Sequence, residues 1–350
     1  MNDHDDTSIL VVGAGIVGAS IAYRLARAGH RVTVVERDGA AAGVTGDSFA
    51  WIGLAKSAAD VYSQTLRRTA ADEFSRLESE LAGTFDIHRF DIHRGGAITW
   101  EATETETRRF VDTHRALGHP IELLTGREVL VREPGLRAVP AVAAYAPGDG
   151  GVDPVAFTRA LLHSAEKFGA TVHFGSTVQS LITDGARVCG VATSDGPISA
   201  STTVLAAGTA IPALATSSGA VAEVDASPCC LIRYSTPRPL VNGILSTPDF
   251  EVRQGDDTTL IAAEDVPAGF TGDPRALAIP TTDAIRRLLV GGEQIELIDA
   301  VVADRPVPRD GRPLLRHAAG VSGLYLAAVH PAIILAGAIG AQVAHDLTRV

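Results

Sequence analysis

Lysine is nearly missing from this chain: only Lys56 and Lys167 occur among 30 basic residues. No run of Lys/Arg appears and the net charge is −11, so nucleic acid and anionic membranes are not expected as partners. Cysteine is scarce, limited to Cys189, Cys229 and Cys230. The adjacent pair is badly placed to bridge and no CxxC occurs, so neither a disulfide framework nor a zinc site is expected, and a reducing, cytoplasmic setting fits. Aromatic residues make up 5% of the chain, which argues weakly against a large aromatic-lined pocket. Uninterrupted apolar runs of membrane-span length are lacking too. Leu324–Ala344 comes nearest, but His330, Pro331 and Gln342 break it, and it reads as a buried strand, a turn and a buried helix. The opening MNDHDDTS is acidic and polar, unlike a signal peptide. No G-x-S-x-G elbow supports hydrolase chemistry.

What is present begins at residues 8–37, SILVVGAGIVGASIAYRLARAGHRVTVVER. A β run (8–12) leads into Gly13-x-Gly15-x-x-Gly18, then an amphipathic helix (16–28), then a second β run (31–35) ending at Glu36. That is a complete βαβ dinucleotide-binding unit. Gly13 permits the tight turn, Gly15 lets a pyrophosphate approach the backbone, and Gly18 lets the helix pack closely on the sheet. The helix start, at Ile16 and Val17, offers free N–H groups and partial positive charge to phosphates. Glu36 is placed to accept hydrogen bonds from a ribose and disfavours a 2′-phosphate, hence NADP. A Rossmann unit that binds nothing is the alternative.

With 350 residues, 46% of them hydrophobic, the chain has room for two domains or one large bipartite one. Residues 38–58 are Gly/Ala/Ser-rich and read as a long loop; residues 59–81 show helical spacing. Residues 85–94 hold FDIHR twice, and the alternation fits a strand better than a metal site built on His88 and His93. Residues 101–117 read as a charged surface helix. Asp153 and Pro154 mark the cap and first turn of another helix. TVHFGSTVQSL (171–181) reads as one strand, Asp195-Gly196 as a hairpin turn, and TTVLAAG (202–208) as a further strand. Residues 225–300 read as a second sheet, after which α/β character returns.

Six segments, in this order, carry a resemblance: GAGIVG with VVER, GVTGDSFAWIG (43–53), GGVDPVAFTRALLHSAEKFGATV (150–172), STVQSL with TTVLAAGT, RPVPRDGRPLL (305–315) and GLYLAAVHPAIILAGAIGAQVA (323–344). Together they resemble the D-amino-acid oxidase family of FAD enzymes, with its glycine and sarcosine oxidases. The resemblance implies an α/β protein: a glutathione-reductase-type FAD-binding Rossmann domain (1–84 with 150–215 and 302–350) interleaved with an α+β substrate domain on an antiparallel sheet (85–149 with 216–301). It implies cofactor contacts from Arg37, from Thr45, Asp47 and Ser48 in a flavin-covering loop, from Val178 at the adenine, and from Ala207, Gly208, His330, Ala332, Ile333 and Ile334. A final helix starting near Ala332 would point positive dipole at the pyrimidine end of the flavin. Many relatives have Gly or Ser-Gly where this chain has His330-Pro331-Ala332-Ile333, and Pro in place of Gly337. His330 either faces flavin or substrate, or is a satisfied histidine at a strand end, the latter favoured.

The resemblance further implies oxidation of a C–N bond in an amine or amino acid, with O2 or another acceptor reoxidising the flavin. Arg305 stands where relatives bind the substrate carboxylate; the alternative is an arginine taken up by backbone carbonyls beside Pro306. No cysteine follows Cys230, so FAD is expected to be non-covalent. The strand 258–265 lacks the lysine that sarcosine-oxidase relatives use with oxygen and carries Glu264 and Asp265 instead. Glu264 could hold a substrate ammonium or be a solvated carboxylate, and Lys56, in the covering-loop region, either substitutes for the missing lysine or is a surface residue, the latter favoured. Two further readings stay open: a dehydrogenase or electron-transferring subunit using another acceptor, and a nucleotide-binding subunit without redox turnover. No metal is expected, and substrate identity and oligomeric state are left open.

Overall fold

The computed structural model describes residues 8–53, 61–82 and 95–348. Its first layer is a six-stranded sheet in the order Leu314–His317, Leu324–Ala328, Thr202–Leu205, Ser8–Val12, Arg31–Val35, Thr171–His173. All neighbours are parallel except the edge strand Leu314–His317. Its central strands are near-continuous apolar runs because both faces are covered.

On one face lie the helices Ile16–Arg27, Pro154–Lys167 and Ala332–Thr348. The first packs on both others. Ser20 Oγ donates to Ala336 O at 2.5 Å, and a Cβ at Gly340 would stand 2.7 Å from Ser20 O, so glycine is what allows this approach. The helix Val61–Ala82 covers the last helix, tied down by Arg24 to Glu80 at 3.0 Å and to Glu73 at 3.5 Å. Asp153 caps its helix as expected, accepting from Val155 N and Ala156 N. The surface helix of residues 101–117 is Glu104–Ala116, opened by a Thr103/Glu106 capping box.

The other face carries a three-stranded antiparallel meander, Val178–Asp184, Arg187–Thr193 and Gly196–Ser199. Residues 171–181 are therefore two strands, not one: Thr171–His173 joins the parallel sheet and Val178 begins the meander, with Gly175 (φ +75°) at the break.

The second layer is an eight-stranded sheet in the order Glu296–Pro308, Val224–Ser235, Thr259–Asp265, Glu251–Asp256, Ile244–Ser246, Ala97–Thr99, Val142–Ala146, Glu122–Thr125. It is antiparallel except between Ile244–Ser246 and Ala97–Thr99. Strand Glu296–Pro308 runs through residue 302 without a break. The sheet's back is sealed by the helix Ala278–Leu288, an element absent from the sequence reading of residues 225–300. A two-residue strand, Trp51–Ile52, pairs with Gly150–Gly151, so the segment read as a plain loop is stitched to the strand region before Asp153. Lys56 and the FDIHR repeats with His88 and His93 lie outside the described residues.

Candidate active site

A cavity of about 980 Å³ runs from the C-terminal ends of the parallel strands to the inner face of the eight-stranded sheet. Its first half is built on the Gly13–Gly18 turn. A Cβ at Gly13 (φ +106°) would lie 2.6 Å from Ala206 O. One at Gly15 would enter the cavity beside Thr45 Oγ1, 3.1 Å away. Gly18 is behind the wall: a Cβ there would stand 1.9 Å from Gly13 O, so it serves the packing of helix on turn. Ile16 and Val17 line the cavity, and Ile16 N donates to Thr45 Oγ1 at 3.2 Å. Glu36 ends its strand at the rim, accepting from Ala14 N (2.8 Å) and Asp38 N (3.0 Å), which locks the turn to the second strand. A helix N-terminus, a cradle open only because glycine lacks Cβ, and a carboxylate at the second strand together fit a dinucleotide.

Arg37, Val178, Ala207 and Gly208 also line this half. The segment 43–53 passes over it with Thr45, Asp47 and Ser48 on the wall. Ser48 Oγ donates to Thr45 O at 2.7 Å. Asp47 is held by Arg233, whose Nη2 donates to Asp47 Oδ1 (3.1 Å) and Gly46 O (2.9 Å) while Nη1 reaches Asp299 (3.2 Å). At the far side stand His330, which is exposed, and Ala332 and Ile333 at the start of the last helix. Ile334 is buried in the core rather than on the wall.

The second half is a sheet face. Residues paired across antiparallel strands share a side, so Leu231, Ala263 and Glu251 lie in one row, and Cys229 stands beside Asp265 and Ala303. All of them border the cavity. Burial pushes the Cys229 thiol up, against the pull of Arg305. Arg305 reaches this face too. Its Nε donates to Ser227 O (3.3 Å), and its Nη2 donates to Ser227 Oγ (3.1 Å) and Pro228 O (3.3 Å), with Asp265 at 3.6 Å. Those bonds use Nε and Nη2, so Nη1 is the nitrogen left to offer a carboxylate, rather than the full fork.

Glu264 borders the cavity, but its carboxylate turns toward the back helix: Oε1 accepts from Thr281 Oγ1 at 2.6 Å. It shares that side with Leu260 and Ala262, which are packed against Ala278 and Ile285. Sequence reasoning passed over the groups that shape the wall from behind. Trp51 Nε1 donates to the buried Asp149 at 2.8 Å, and the buried Arg253 donates to Phe49 O at 2.6 Å. Among the described residues no cluster of three or more His, Cys, Asp or Glu is placed to hold a metal, and no helix is long and apolar enough to cross a membrane.

Residues 8–345 match the model of the DAO family, described as FAD dependent oxidoreductase. The chain is 31% identical to a D-amino acid dehydrogenase of Cereibacter sphaeroides over 259 residues, spanning 59% of this chain and 59% of that protein. It is 27% identical over 334 residues to the glycine oxidase of Geobacillus kaustophilus, spanning 92% of this chain and 87% of that one. The solved structure of glycine oxidase from Geobacillus kaustophilus superposes with a TM-score of 0.86 at 26% identity, over 98% of this chain and 95% of the other. L-proline dehydrogenase from P. horikoshii shares the fold at a TM-score of 0.82 and 19% identity, over 98% of this chain and 93% of the other.

Proposed function

This chain belongs to the DAO family of FAD-dependent oxidoreductases, and we propose that it oxidises the C–N bond of an amine or amino acid. The observation that carries this reading is the continuity of one cavity, from the dinucleotide cradle at Gly13–Gly18 to the sheet face bearing Arg305. FAD, when bound, supplies the two-electron acceptor for the oxidation. The substrate loses two electrons and two protons across its C–N bond, and the resulting imine takes up water to give a carbonyl compound and an amine.

This chain's part is binding, orientation and exclusion of water. Gly13, Gly15, Ile16, Val17 and Glu36 would hold the nucleotide half, with Arg37 and Val178 at its rim. Thr45, Asp47, Ser48, Ala207, Gly208, His330, Ala332 and Ile333 would enclose the remainder. The N–H groups opening the helix at Ala332 favour negative charge gathering nearby. Phe49, Leu231 and Ala263 give the substrate end an apolar wall. Arg305 would meet a substrate carboxylate through Nη1. Glu264, turned toward Thr281, would support the strand from behind rather than touch substrate. With no cysteine after Cys230 for a thioether, FAD is held non-covalently. The division into an interleaved cofactor unit and a substrate unit, and a cytoplasmic setting, belong to the same proposal.

The test is an anaerobic amine screen. Bleaching of flavin absorbance near ~450 nm by an amino acid or amine supports the reading. A FAD-loaded protein that no amine reduces would leave a nucleotide-binding subunit. A second reading concerns the acceptor. The strand Thr259–Asp265 carries no lysine, and D-amino acid dehydrogenase is among the relatives, both of which favour an acceptor other than oxygen. Slow return of colour in air together with fast return on adding a quinone dye supports that version; fast return in air supports an oxidase releasing H2O2.

A further inference from the structure

Arg253 is 2% exposed, yet no carboxylate bonds it among the described residues. Its guanidinium donates only to carbonyl oxygens: Nε to Phe49 O (2.6 Å), Nη1 to Gln254 O (3.2 Å) and Nη2 to Val152 O (3.1 Å). The carbon at its centre stands 5.5 Å from the centroid of the Phe49 ring. Desolvation draws this arginine down to about 10, so it stays protonated at neutral pH. The side chain leaves the eight-stranded sheet and passes over Gly151, where a Cβ would stand 2.5 Å from its Cδ. It therefore fastens three segments at one point: the large sheet, the covering segment at Phe49, and Val152, whose own N–H bonds Ala50 O at 3.2 Å.

Burying a cation whose bonds all go to neutral carbonyls, with only the charge of Asp153 acting on it, is a costly way to join strands, and removing it would leave three carbonyls without that donor. What the arginine adds is direction. Its planar fork defines where the Phe49 carbonyl sits, and Phe49, Ala50 and Trp51 form the cavity wall in front of it. Arg253 itself does not reach the cavity.

We propose that Arg253 is a positioning residue for cofactor binding: by holding the Phe49 carbonyl it sets the Phe49–Trp51 wall before FAD arrives. A wall already in place lowers the ordering cost of binding. ADP would rest on the Gly13–Gly18 turn and Glu36, while the flavin half of FAD, which ADP lacks, would meet this wall. The inference rests on the cavity's being the FAD site, so each ligand is measured on wild-type apoprotein as well.

The experiment is calorimetric titration of apoprotein with FAD and with ADP, on wild type, R253M and R253K, beside thermal unfolding of each apoprotein. In R253M the FAD Kd is expected to rise roughly tenfold or more while the ADP Kd stays within about twofold of wild type. R253K keeps the charge but reaches fewer of the three carbonyls, and is expected to fall between. Wild-type FAD affinity in R253M overturns the proposal, as does an equal loss of FAD and ADP. If R253M does not fold, R253K decides alone: selective loss of FAD supports the role, and unchanged or parallel losses overturn it. Wild-type protein that takes up neither ligand would instead overturn the assignment of the cavity.

Discussion

Gly15→Ala should separate binding from folding. Gly15 has φ −74°, a conformation any residue adopts. An added Cβ would meet only Thr45 Oγ1, at 3.1 Å, within 4 Å. That hydroxyl accepts from Ile16 N at 3.2 Å, so weakening this bond costs about 0.5–1.5 kcal/mol. Replacing glycine also restricts the unfolded chain, which returns about 0.4–1 kcal/mol. The apoprotein should therefore melt close to wild type. The methyl nevertheless enters the cavity where, on the proposed reading, a pyrophosphate would approach the backbone. FAD affinity should fall by roughly tenfold or more, about 1.4 kcal/mol. Gly18→Ala is the control with the opposite signature. It lies off the wall, its Cβ would stand 1.9 Å from Gly13 O, and the backbone has to move. Overpacking of that kind costs about 1–3 kcal/mol and should lower Tm by several degrees. Apoprotein melting and FAD titration on both variants settle it. A Gly15→Ala protein with wild-type FAD affinity, or a Gly18→Ala protein with wild-type Tm, would refute the account of the turn.

The remaining predictions concern charge. Arg305→Met removes one charged hydrogen bond from Nη1, about 1.5–3 kcal/mol, so kcat/KM for a carboxylate-bearing substrate should fall roughly 10- to 150-fold. The matching amine without the carboxylate should be little affected, and equal losses on both would remove the anchor role. Glu80 offers a pH test. Burial alone would raise its pKa, but the hydrogen bond from Arg27 and the charges of Arg24 and Arg27 outweigh it and hold it below the ordinary value. A depressed acid stabilises above its unfolded pKa, about 4.3, and that contribution is lost as pH falls through the folded value. Wild type should outmelt Glu80→Gln at pH 7, with the gap closing under acid; a gap constant down to pH ~3 would contradict the ion-pair account.

The cofactor half was legible because its signals are local. The strand, glycine turn, helix and Glu36 fall within residues 8–36, and the element boundaries lie within a residue of the structure. The Asp153–Pro154 start was legible for the same reason. What escaped depends on distant partners. Trp51–Ile52 is a strand only because Gly150–Gly151 comes alongside, and no two-residue run announces a ladder. Residues 171–181 look continuous, yet the two ends pair with different sheets. The helix Ala278–Leu288 begins without a side-chain cap and carries Pro280 in its first turn, so its opening resembles the turns around it.

The candidate substrate residues failed to sort for a subtler reason. A strand shows which residues share a face, but not which face meets the cavity. On Thr259–Asp265 the sequence reading singles out Glu264, although alternation alone does not say whether Glu264 or its neighbour Asp265 faces the cavity. The structure puts Leu260, Ala262 and Glu264 against the back helix, and Ile261, Ala263 and Asp265 on the inner side. One long-range tie is enough to assign the rest. Arg233 reaches Asp47 in the covering segment, so its side of Val224–Ser235 is the inner one. Alternation then places Leu231, Cys229 and Ser227 there, and cross-strand pairing carries Ala263, Asp265, Glu251, Arg253 and Arg305 with them. A register slip of one residue in Thr259–Asp265 would turn Glu264 inward in place of Asp265, and Leu260 and Ala262 inward in place of Ile261 and Ala263. The apolar packing behind the sheet is therefore what selects the carboxylates in front of it.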